Sequence, residues 1–128
     1  MLTVTPIYVV IAIVIYSALT YPIIRHRMTK RLSLGDGGDA AFNRKIRAHG
    51  NFAEYVPLIL IAMGAAELIG APFALLHASG IALTVGRSLH GYSLAVAERG
   101  ILPRVSGMML TLLSLWLAGA AVVWGMIV

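Results

Sequence analysis

Two stretches of this sequence carry no charge at all: residues 6–24, and residues 105–128, a run of 24. About 20 consecutive apolar residues, rising 1.5 Å each as an α-helix, cross the hydrocarbon core of a bilayer. Between these two lies residues 55–86, where only Glu67 and His77 can hold a charge. That stretch is too long for one crossing, and Gly70-Ala71-Pro72 supplies a break inside it. The reading is an all-α, integral-membrane four-helix bundle in a single domain, 1–128, with spans at about 6–24, 40–69, 72–97 and 104–128. Composition agrees: only 12% of the 128 residues are charged, against roughly 25% in soluble domains. Too few charges are present to cover a water-facing surface. The first stretch is read as a retained span and not a signal peptide, since its basic cluster follows it and no small-residue cleavage site is evident. With no cysteine, disulfides, thiolate metal sites and cysteine nucleophiles are excluded. No His pair stands at ligand spacing, so no metal is expected.

The ten Lys and Arg give a net charge of +5, and seven of them fall between Arg25 and Arg47. A polar loop is expected over 25–39, and Arg99 and Arg104 flank the third connection. The second connection has no Lys or Arg. Basic residues gather in cytoplasmic loops, so loops 25–45 and 98–104 are expected to be cytoplasmic. The charge is therefore a topology signal, with lipids as partners and no nucleic acid.

Polar residues inside spans are costly and turn toward a bundle interior or a cavity. In the second helix, Arg47, Asn51, Glu54 and Tyr55 fall within about 100° of one another at 100° per residue. Pro57 follows and is expected to loosen or kink that helix. Arg87 and His90, three apart, share a face of the third helix. Arg104 opens the fourth helix after Pro103, and Arg25 and Arg27 close the first. Plain structural roles compete with a functional one. Basic residues at helix ends snorkel to headgroups; Glu54 can pair with Arg47 or Arg87; Asn51 can clasp two helices. Glu67 reads as interfacial and without function, His77 as a packing or interface residue, and Gly107, Ser114, Ala118, Gly119 and Ala121 as small residues for close helix contact. As a pocket, several arginines beside one carboxylate and one amide suit a small anion carrying an ammonium group. Such a pocket opens toward lipid, where an apolar second substrate enters sideways.

The segment Arg47-Ala48-His49-Gly50-Asn51-Phe52-Ala53-Glu54-Tyr55-Val56-Pro57 resembles the signature of the MAPEG family, the membrane-associated proteins of eicosanoid and glutathione metabolism. Val85-Gly86-Arg87-Ser88-Leu89-His90 is similar to the family's third-helix motif, and Arg104 to the arginine at the start of its fourth helix. Size and compact loops resemble the bacterial branch, which implies a multi-pass protein of a bacterial inner membrane. The resemblance implies a homotrimer binding glutathione, as co-substrate, between subunits. Arg47, Asn51, Glu54, Tyr55, Arg87 and His90 would then form its site, with Arg27 and His49 at the edge. Arg104 would be catalytic, stabilising the thiolate that attacks a lipophilic small-molecule substrate in a transferase or peroxidase reaction used in detoxification. Gly50, Leu94 and Met108 depart from the family pattern at places where other members carry arginine or tyrosine. A non-catalytic glutathione- or lipid-binding scaffold is the alternative. A small multidrug-type transporter ranks last, because the first span holds no acid.

Overall fold

In the computed structural model, which describes residues 1–96 and 100–128, the chain is four helices: α1 (Thr5–Lys30), α2 (Ala40–Leu68), α3 (Phe73–Ala95) and α4 (Ile101–Ile127). Ala97, Glu98 and Arg99 lie outside the described residues, so the end of the third span and the charges expected in the 98–104 loop are described only from Gly100 onward. On length and composition α1, α2 and α4 are each able to cross a membrane. Helix α3, at 23 residues, is about 34 Å long, but its hydropathy is lowered by Ser79, Arg87, His90 and Ser93. Those four are buried and turned into the bundle, whereas His77 and Ser88, which also lower its hydropathy, are exposed.

Several boundaries differ from expectation for identifiable reasons. Helix α1 runs on to Lys30 instead of giving way to loop at Arg25. Its last turns are polar because they project beyond the apolar layer, where hydropathy ends before the helix does. Arg31 terminates it in the left-handed conformation, and the Leu32 amide donates to the Arg27 carbonyl at 3.0 Å. Helix α2 starts at Asp39, whose carboxylate accepts from the amides of Ala41 and Phe42 at 2.9 and 3.0 Å, an N-cap that satisfies two orphan donors. It continues through Pro57, as α1 does through Pro22. The α2–α3 turn passes through Gly70 at φ 85, which a side chain would strain. Helix α4 begins at Ile101, so Pro103 sits in its first turn, where a missing N–H costs nothing.

Helices α2 and α3 each touch all the others, whereas α1 and α4 do not touch one another among the described residues. The apolar core comes mainly from Tyr8 and Ala12, Phe52, Val56, Ile59 and Met63, Leu76 and Leu83, and Ala118 and Ala121. Helices α3 and α4 are the closest pair. A Cβ on Gly107 would lie 2.7 Å from the Gly86 carbonyl oxygen and 2.7 Å from the His90 amide, so both positions require glycine. Further along the seam, Ser79 and Ser114 each donate to the other's carbonyl, at 2.9 and 2.8 Å. Hydrogen bonds of this kind replace the water that is absent there.

Candidate functional site

The Gly86–Gly107 crossing brings the third-helix motif against the start of α4 at the basic end of the bundle. Arg87 follows Gly86 directly and is 2% exposed. Its Nε donates to Thr111 Oγ1 at 2.8 Å, one Nη to Asn51 Oδ1 at 2.6 Å, and the other reaches Met108 Sδ at 3.8 Å. The guanidinium also lies 5.8 Å from the centre of the Tyr55 ring. These bonds join α2, α3 and α4 through the buried Arg87. Thr111 in turn donates to the Gly107 carbonyl at 2.8 Å. Sequence reading did not single out Thr111; its signal is position, one turn after Gly107 on the same face.

His90, one turn on, is also buried, and its Nδ1 lies 3.3 Å from the Arg104 carbonyl. A carbonyl only accepts, so Nδ1 carries the hydrogen, and in the neutral ring Nε2 is left as an acceptor. An open groove of about 400 Å³ runs beside it, lined by Asn51, His90, Ile101, Arg104, Val105 and Met108. Polar groups from three helices meet there with the apolar side chains that begin α4. Arg104 is exposed, and its guanidinium makes no hydrogen bond or ion pair among the described residues.

The remaining sequence-predicted residues divide into two sets. Arg47 and Glu54 are exposed on the outer face of α2, on the stripe that also carries Asn51, and no ion pair links Glu54 to Arg47 or Arg87. Arg27 and His49 lie instead on the α1–α2 side. Arg27 sits 5.5 Å from the centre of the Phe42 ring and donates to the Ser33 carbonyl at 3.1 Å. His49 stacks on Tyr16 with ring centres 4.7 Å apart. Glu67, expected to be interfacial and without function, is buried against the start of α1. Its carboxylate accepts from the amides of Thr3, Val4 and Thr5, the last two at 2.7 Å, and so caps α1. The partners are more than sixty positions away in sequence, and for that reason local pattern does not reveal them. His77 is a packing residue with a partner: Tyr8 Oη lies 2.9 Å from its Nδ1.

A family model described as MAPEG family matches residues 5–124. The chain is 34% identical over 123 residues, 96% of its own length and 92% of the relative's, to the inner membrane protein YecN of Escherichia coli strain K12. It is similar to the same extent to the protein of that name from Escherichia coli O6:H1, strain CFT073. With these relatives and helices able to cross a bilayer, the chain is a multi-pass inner-membrane protein.

Proposed function

Because this chain belongs to the MAPEG family, we propose that it is a membrane-embedded glutathione-dependent transferase or peroxidase acting on lipophilic electrophiles. The observation that carries this reading is the groove in which Asn51, His90 and the unpaired Arg104 converge beside Ile101, Val105 and Met108. Such a groove offers one end to a polar anion and the other to an apolar molecule arriving from lipid. Glutathione bound there supplies a thiolate that displaces a leaving group from carbon or cleaves a peroxide O–O bond. A free thiol of this kind ionises near pH 8.5, and an adjacent cation lowers that value. Arg104 supplies that cation, with no ion pair to neutralise it among the described residues. Arg47 takes a ligand carboxylate and Glu54 its ammonium group, both from the exposed stripe of α2. Asn51 donates or accepts at the peptide portion. Arg87 acts through Asn51, fixing its amide, and is a positioning residue.

The polar stripe of Arg47 and Glu54 sits on a face that also exposes Leu58 and Ile61. Covering that face with a second copy, in a homotrimer, puts the site between subunits. The test is conjugation of a chloronitrobenzene electrophile by detergent-purified protein. Arg104→Ala is expected to lose about a hundredfold in rate, the usual cost of removing one preorganised charge contact, with an unchanged melting temperature. Equal rates in the two proteins contradict the role of Arg104. Stabilisation by glutathione without turnover of any electrophile supports the scaffold reading instead.

A further inference from the structure

Away from that groove, a second concentration of charge lies between the basic ends of α1 and α2. An open cleft of about 350 Å³ is lined by Tyr21, Arg25, His26, Thr29, Lys30 and Lys45. Arg25 and Lys30 come from α1 and Lys45 from α2, so two elements deliver cations to one space. None of these three side chains makes a hydrogen bond or ion pair among the described residues. No carboxylate lines the cleft among those residues either. The nearest acid, Asp39, caps α2 with one oxygen, while the other lies 3.9 Å from His26 Nε2 at the edge of the cleft, where its charge also acts on Lys45. Phe42 stacks on His26 with ring centres 3.9 Å apart, which holds the base of the cleft rigid. Arg27, two residues from Arg25, is turned away onto Phe42 and Ser33. Arg25, Lys30 and Lys45 are thus turned toward the cleft without a hydrogen bond or ion pair of their own among the described residues.

The geometry points to this cleft as a binding site for the phosphate of an anionic glycerophospholipid, with the acyl chains lying along α1. Two features select a lipid over a free phosphate. Tyr21, 67% exposed, forms the wall on the bilayer side, where aromatic rings sit at headgroup level. Below it on the same face of α1, at helical spacing, Ala18, Val14 and Ile7 are all exposed. A ligand with a phosphate and a hydrocarbon tail meets both parts, whereas inorganic phosphate meets only the first. Three cations converging on one phosphodiester also differ from general attraction to an anionic leaflet, which depends on charge number and not on position.

The experiment is native mass spectrometry of the full-length protein released from detergent containing equal amounts of phosphatidylglycerol and phosphatidylcholine. Phosphatidylglycerol is expected to be retained about tenfold more than phosphatidylcholine. Lys45→Gln and Arg25→Gln are each expected to reduce that preference about fivefold, the effect of one cation close to a lipid phosphate. Arg31→Gln removes the same charge from an exposed position outside the cleft and is expected to change the preference less than about twofold. Equal retention of the two lipids overturns the site. So does an Arg31→Gln effect as large as that of Lys45→Gln, which leaves only general surface attraction. Displacement of phosphatidylglycerol by millimolar inorganic phosphate overturns the lipid assignment in favour of a soluble phosphate. Melting temperatures of the variants, matched to the parent, separate loss of binding from loss of fold.

Discussion

The two ends of the bundle handle buried and half-buried charge in opposite ways. At the end away from the basic loops, Glu67 is saturated: three backbone amides and the Thr3 hydroxyl converge on one carboxylate. At the basic end, Arg87 is likewise held by Asn51, Thr111 and Met108. Around it, however, Arg47, Glu54 and Arg104 reach the surface with no ion pair among the described residues. A charge whose bonding capacity is filled by its own chain holds the fold. One left open near a groove is available to a ligand. On that criterion the first end is a clasp and the second a candidate site built on a clasp.

Three substitutions test the contrast, in descending size of effect. Glu67→Ala strands the amides of Thr3, Val4 and Thr5 without an acceptor, at a cost of about 3 kcal/mol, roughly 1 kcal/mol each. Thermal unfolding in detergent should show the loss, while the folded fraction keeps its full glutathione affinity. A drop in affinity would break the separation of the two ends. Gly107→Ala forces a Cβ into the Gly86 carbonyl and is expected to cost about 2 kcal/mol by overpacking. Unlike the first variant it should also lower activity, since the same crossing sets the distance between His90 and Arg104. Asp39→Ala is the smallest. The Phe42 amide, chiefly, holds the Asp39 carboxyl below its ordinary value. A lowered folded value means that the cap stabilises above the unfolded carboxylate pKa of about 4 and fades as pH falls through the folded one. The melting temperatures of Asp39→Ala and the parent should therefore differ slightly at neutral pH and converge in acid.

Much of this arrangement was legible in the sequence, for physical reasons that also mark where legibility ended. Uncharged length reveals helices wherever lipid is the solvent, so 6–24 and 105–128 lie within α1 and, but for its final residue, α4. Helical periodicity placed Arg47, Asn51 and Glu54 on one stripe without any tertiary knowledge. What periodicity cannot show is which polar residue will be consumed by a neighbour. Arg87 reads as a ligand-binding arginine, and its bonds to Thr111 and Asn51 on other helices are invisible to periodicity. Arg27 and His49 likewise face Phe42 and Tyr16 across the α1–α2 seam. Glu67 looked idle because its partners are the first residues of the chain. Hydropathy also stopped short of the end of α1, because a helix that leaves the bilayer keeps its backbone bonds while its side chains turn polar.

The most direct test is calorimetric titration of glutathione into the purified protein, its Glu54→Ala variant and its Glu67→Ala variant. If unpaired charge at the basic end is the binding site, the parent and Glu67→Ala bind alike and Glu54→Ala binds about tenfold more weakly, as expected for loss of one charge-assisted contact. No heat from the parent at millimolar glutathione, or equal binding by the parent and Glu54→Ala, contradicts the account.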